Sequence, residues 1–216
     1  MTQARSFGGT PAVGALVTLT AVGGLGKHFC SASVVDSPAG NLVITAAHCV
    51  AGRQVGQVVF VPGYDRGQAP YGVWPVRRVI TDQDWASSSD PDDDAAFVEL
   101  TRAVQDVTGA EHLGTGQPSG QLVTVIGYPG NQDSAIFCIS YSRSFSATQL
   151  MFRCGGYTTG TSGSPLLAQV DAATGLGTVI GVIGGYQQGG ATDAISYAVV
   201  LGPDIAALYQ AAIAGP

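Results

Sequence analysis

Side chains able to do chemistry are sparse: of 216 residues only 11% are charged, and 3 are histidines. His48 stands in NLVITAAHCV, straight after a β-like apolar run and beside Cys49. Asp92, Asp93 and Asp94 end the acidic loop SSSDPDDD and lead into AAFVEL. Ser162 and Ser164 lie in YTTGTSGSPLL, among glycines and before a proline. A serine hydroxyl becomes a nucleophile when an imidazole takes its proton and a carboxylate orients that imidazole. Each segment also has a structural explanation. Gly/Ser/Thr/Pro clusters between periodic runs are ordinarily turns. A lone histidine at the end of a strand is more often structural, and an acidic loop is more often a solvated turn. Frame separates the aspartates. Asp94 directly precedes AAFVEL and should be carried under the rim of the core, whereas Asp92 and Asp93 stay in solvent. Between the two serines, local sequence leaves the choice open.

The elements that must position these groups read as strands. Short runs recur with turn signals between them: SASVV, NLVIT, QVVFV, VWPVRRVI, AAFVEL, QLVTVIGY, AIFCISY, QLMFRC, SPLLAQV, GTVIGVIGG and AISYAVVL. Such lengths and spacings predict a β-sandwich or barrel, and the 31 glycines supply its turns. PAVGALVTLTAVGG, residues 11–24, has one basic residue before it, Arg5, and no clear cleavage site after it. It is read as a first strand with Val13, Ala15, Val17 and Leu19 on one face rather than as a signal peptide, with Met1 as the start of a mature domain. Residues 101–120 are the weakest β region and are read as the connection between two β-halves. Helical spacing is clear only in GPDIAALYQAAIAGP, with Pro203 near the start, Ile205, Leu208, Tyr209 and Ala212 on one face and Gly215 as the stop.

Composition excludes several classes. The net charge is −6, which argues against nucleic acid, because phosphate binding needs a basic face. No apolar run reaches 18 residues, so no membrane span is expected. Residues 87–94 lack the spaced ligands of a calcium loop. Cys30, Cys49, Cys138 and Cys154 form no CxxC pair, so a zinc cluster is not expected despite His28 and His48. An even count in a lightly charged chain suggests two disulfides and an oxidising compartment. Cys30–Cys49 with Cys138–Cys154 is the simplest pairing, although four cysteines allow three connectivities.

In the order His, Asp, Ser, these segments resemble the trypsin-like (chymotrypsin-fold) serine peptidases. TAAHC matches the family's histidine motif, DAAFVEL its aspartate followed by alternating apolar residues, and GTSGSPLL its Gly-x-Ser-Gly-x-Pro loop. The resemblance runs from about Gly9 to the terminal helix. It is closest to the bacterial secreted branch that includes glutamyl endopeptidases, and HFCSASVV, GYPG and GVIGGYQQGG look like actinobacterial members. It implies an all-β fold of two six-stranded antiparallel Greek-key barrels with the active site in the cleft between them. Residues 8–105 would carry His48 and Asp94. Residues 116–216 would carry Ser162 and end in a helix over 203–213.

The resemblance also implies roles. Ser162 would be the nucleophile, and Ser164 falls where the family often has a second glycine. His48 would move the proton and Asp94 would fix the imidazole. The amides of Gly160 and Ser162 would form the oxyanion hole, and Gly163 would permit the tight turn. An α/β-hydrolase is excluded by Ser164 in place of glycine and by the order of the triad. Thr161 replaces the aspartate that activates animal digestive members, so that activation route should be absent. Cys30–Cys49 would hold His48, and Cys138–Cys154 would brace the Ser162 loop. The implied protein is a secreted, extracellular endopeptidase, monomeric by family default. It acts on protein or peptide substrates with water and needs no metal or cofactor. The alternatives are a catalytically silent homologue that binds peptides or proteins, and an esterase on the same fold.

The expected specificity pocket is formed by residues 154–160 and 181–190. Gly156 lacks the carboxylate of a trypsin-like site, and Ile183 replaces the histidine of a glutamyl site. Gly184 and Gly185 would leave the backbone open to a substrate strand, and Tyr157 would narrow or cap the pocket. An uncharged, small to medium apolar residue is therefore expected before the cleaved bond. Asp193 would change that to a basic residue if it reaches the pocket base.

Overall fold

The computed structural model describes residues 2–215. The expectation that Met1 starts a mature domain, and Pro216 at the end of the expected second unit, lie outside them. Strand β1 (Arg5–Phe7) precedes β2 (Val13–Leu19), β3 (Leu25–Val34), β4 (Leu42–Thr45), β5 (Val58–Pro62), β6 (Trp74–Thr81) and β7 (Ala96–Leu100). Strands β2 to β7 close into an antiparallel barrel in the order β2-β3-β4-β7-β6-β5. The remaining strands are β8 (His112–Leu113), β9 (Leu122–Gly127), β10 (Ala135–Tyr141), β11 (Arg143–Ser144), β12 (Gln149–Arg153), β13 (Pro165–Ala168), β14 (Thr178–Ile183) and β15 (Ile195–Val200).

The second sheet follows the path β1-β10-β9-β13-β14-β15-β12-β11, with β8 added in parallel to β14. Its two sides roll toward each other. Cys138 of β10 is disulfide-bonded to Cys154, just past β12, and the Ser140 hydroxyl donates to the Arg153 carbonyl at 3.4 Å. The result is the all-β, two-barrel class, with one barrel closed by hydrogen bonds and the other rolled and bridged by a disulfide.

Burial explains why the strand sequences are continuously apolar rather than alternating. In β2, Val13, Ala15 and Val17 are buried as expected, but so is Leu16. Leu16, Val34, Phe60 and Val98 form a core belonging to the first barrel alone. Val13, Val17, Ile44 and Phe97 pack instead with Leu167, Val182 and Val199 of the second sheet. The first-barrel strands are thus covered on both faces, which a short unbroken apolar run permits. Each fully buried Val, Leu, Ile or Phe contributes about 1.5 to 3 kcal/mol relative to exposure, so the shared cluster presses the barrels together.

The C-terminal helix, Pro203–Ile213, has its proline in the first turn, as the sequence predicts. Ile205, Leu208 and Ala212 join the shared cluster. The helix returns to the first barrel: Tyr209 packs edge-on to Phe97 and donates its hydroxyl to the Asp36 carbonyl at 2.8 Å.

Candidate active site

His48 sits on a single helical turn, Ala47–Val50, directly after β4. The first turn of a helix leaves amides without partners, and here no capping side chain precedes it. Asp94 takes that role from a distance. Its Oδ1 accepts from the His48 amide at 2.8 Å, and its Oδ2 accepts from His48 Nδ1 at 2.7 Å. Oδ2 also accepts from the Gly185 amide at 2.8 Å. Asp94 is 1% exposed, so its charge is screened from water and held by donors on both oxygens. With Nδ1 as donor, the lone pair of the imidazole is left on Nε2. The Cys30–Cys49 disulfide fixes the same turn from its other side.

Ser162 follows a tight turn on the second sheet and lines a cleft of about 450 Å³ together with His48. Among the described residues, the His48 ring bonds only to Asp94. Ser162 and Ser164 are sorted plainly: Ser162 faces the cleft, while Ser164 is fully buried. Gly160 has φ +102° and Gly163 has φ +82°. A Cβ on Gly163 would collide with the Ser31 carbonyl and the Thr45 hydroxyl, so the turn needs glycine by contact as well as by conformation. Around this turn the Thr161 amide donates to Thr158 and the Gly163 amide to Ile183. The Gly160 and Ser162 amides have no acceptor among the described residues. Thr161 turns its hydroxyl inward to the Thr158 carbonyl at 2.8 Å.

Two positioning residues escape a reading of sequence. Ser31, in β3, clamps the Ser162 turn to the His48 barrel. Its amide donates to the Ser162 carbonyl at 2.8 Å, and its hydroxyl donates to the Gly160 carbonyl at 3.1 Å. The Tyr128 amide donates to that hydroxyl at 2.9 Å. Gln149 ties down the Asp94 loop by donating to the Pro91 carbonyl at 3.0 Å and to Asp92 Oδ1 at 3.1 Å. The only local signals are a serine beside Cys30 in SASVV and a glutamine opening QLMFRC; both partners are distant in sequence.

Asp92 is therefore engaged rather than simply solvated, and Asp93 is only half-exposed. Burial, with Asp82, Asp90, Asp204 and Asp84 nearby, raises the Asp93 carboxyl to about 6.

The expected pocket residues divide. Tyr157 and Ile183 line the cleft; Gly156, Gly184 and Gly185 do not. Tyr157 does not cap it, because its hydroxyl points inward to the Val125 carbonyl at 2.7 Å. Gly184 and Gly185 do not offer open amides to a substrate strand: the first donates to the Tyr197 carbonyl and the second to Asp94. The wall is polar rather than apolar, with Thr158, Thr159, Gln187, Gln188 and Asp193. Asp193 is exposed there, and its backbone carbonyl accepts from the Gly156 and Tyr157 amides.

The fold is shared with known proteins. The protease Anisep of Arthrobacter nicotinovorans superposes with a TM-score of 0.81 over 98% of this chain and 100% of its own, at 23% identity. A thermostable serine protease from an extremophilic microorganism gives 0.79 over 96% and 99%, at 26% identity. A Glu endopeptidase gives 0.75 over 99% and 98%, at 16% identity. No protein with a curated description matches the sequence significantly. The family described as Trypsin matches residues 7–200. This chain belongs to the trypsin family and is a serine endopeptidase.

Proposed function

We propose that the cleft cuts peptide bonds with Ser162 as nucleophile, His48 as base and then acid, and Asp94 as the fixed charge behind the imidazole. The observation that carries this is the buried Asp94–His48 pair at 2.7 Å opening onto a cleft that Ser162 also lines. Ser162 Oγ attacks the scissile carbonyl carbon as its proton passes to His48 Nε2. The carbonyl oxygen becomes an oxyanion facing the Gly160 and Ser162 amides, whose lack of internal acceptors supports that assignment. The carbon–nitrogen bond breaks as His48 returns the proton to the leaving amine. Water, deprotonated by the same nitrogen, then attacks the acyl-enzyme and releases Ser162. Asp94 holds Nδ1–H in place throughout.

Residues 8–105 and 116–216 act as the two units that present His48 with Asp94, and Ser162. The enzyme works as a secreted monomer on proteins or peptides, with neither nucleic acid nor membrane as partner. Two disulfides support an oxidising compartment, and among the described residues no helix is long and apolar enough to cross a membrane.

The polar wall bearing Asp193 favours a basic residue before the cleaved bond over the apolar one expected from sequence. Peptides cut from a mixed protein digest, read by mass spectrometry, test activity and preference together. Cuts mainly after Arg and Lys, lost in Asp193→Ala, are the expected result. Cuts after apolar residues would restore the earlier expectation, and an intact protein mixture would refute the peptidase reading.

A further inference from the structure

We infer that Arg53 selects acidic residues on the leaving side of the cleaved bond, an inference that rests on the peptidase reading above. Arg53 is exposed and lines the same cleft as His48 and Ser162. Its Nε donates to the Cys49 carbonyl at 2.6 Å. Its guanidinium carbon lies 3.8 Å from the centroid of the Phe29 ring. One bond and one stacking surface thus fix the plane of the group. Its two terminal nitrogens donate to nothing, and no carboxylate pairs with it, among the described residues. Arg77 and Arg78 are by contrast both paired with Glu99. An oriented guanidinium with free terminal donors is a fork for a carboxylate.

The chemistry says which part of the substrate meets it. His48 hands its proton to the leaving amine, so the departing peptide must pass on the His48 side of Ser162. The wall there consists of Cys49, its disulfide partner Cys30, Phe29 and Arg53. Asp193 lies on the opposite barrel, beside the amides of Gly156 and Tyr157. The cleft is therefore polarised, with a carboxylate toward the acyl side and a guanidinium toward the leaving side. A leaving peptide that begins with Asp or Glu places its carboxylate against the free face of Arg53.

The test uses two internally quenched peptides, identical before the cleaved bond and carrying either Glu-Glu or Gln-Gln directly after it. Wild-type enzyme at low salt is expected to favour the acidic peptide by about tenfold in kcat/KM, a preference that salt weakens. Arg53→Gln should bring the ratio close to unity, and Arg53→Glu should invert it. A residue that only braced the His48 turn would slow both peptides alike and leave the ratio unchanged. A wild-type ratio near unity, or one that survives Arg53→Gln, overturns the inference while leaving the peptidase reading intact. Failure to cut either peptide, together with failure to react with a serine-directed phosphonate, overturns both.

Discussion

Asp94 and Glu111 are two carboxylates shut away from solvent, at 1% and 0% exposure, yet they differ in what surrounds them. Asp94 receives the His48 amide, His48 Nδ1 and the Gly185 amide. Glu111, ahead of β8, receives only the Gly177 amide, and its Oε1 has no partner among the described residues. Burial pushes the Glu111 carboxyl up to about 7, with the Gly177 bond opposing the shift. Desolvation disfavours a charge wherever it is applied, and converging N–H donors oppose that penalty. Donors on both oxygens make Asp94 a charge that an imidazolium can use. A single donor leaves Glu111 a structural group close to its protonation point at neutral pH.

The largest test of this contrast removes the atom that the held charge serves. Ser162→Ala should lower kcat by about 10⁶-fold, leaving only oxyanion-hole and binding catalysis. Ser164→Ala should stay within a few-fold of wild type, since that hydroxyl is buried away from the cleft; the reverse ranking would make Ser164 the nucleophile and overturn the assignment of Ser162. Next, Asp94→Asn should cost about 10⁴-fold in kcat by favouring the wrong imidazole tautomer. Asp92→Asn and Asp93→Asn, compared under identical conditions, should cost far less.

Glu111→Gln should act on stability instead, and with the opposite sign. Folded Glu111 keeps its proton up to about 7, whereas its ordinary value is 4.5. The folded state therefore binds more protons between those values. The group's contribution to stability is fully present below the lower value and is lost as pH rises through the upper one. At pH 9 the Gln variant should be more stable than wild type by roughly 3 kcal/mol, and the gap should close at pH 4. Denaturant titrations at both pH values read this directly. A gap that persists at pH 4 would assign the gain to packing rather than to the charge.

The smallest expected effect comes from Ser31→Ala, which strips the Gly160 carbonyl of a donor and the buried Tyr128 amide of its acceptor. It should cost about 1 to 2 kcal/mol of stability and lower kcat more than it changes KM, because it loosens the Ser162 turn. Equal losses in both constants would assign Ser31 to substrate binding.

What was legible in the sequence follows from how local each signal is. Every β-like run named from sequence contains strand residues, because each carries its own short apolar stretch between turn residues. That His48, Asp94 and Ser162 were candidates was legible because each sits within a contiguous motif; the structure pairs His48 with Asp94 and seats Ser162 on the same cleft. The first half of β3 was not, since Gly26 and Lys27 interrupt its pattern. Nor were β1, β8 and β11, which are two or three residues long and exist only through pairing. Ser31 and Gln149 escaped for the same reason: their partners lie tens of residues away. The polar wall of the cleft was not legible because it depends on the path of residues 185–193. There Gln187 and Gln188 take φ of +54° and +53°, a left-handed conformation that ordinary propensity does not suggest.

Reaction with a serine-directed phosphonate, followed by peptide mapping of the adduct, reads the nucleophile itself. A single adduct on Ser162 is expected, formed as fast in Ser164→Ala as in wild type, slowed in Asp94→Asn and lost in His48→Ala. An adduct on Ser164, or none on folded protein with both disulfides intact, would contradict it.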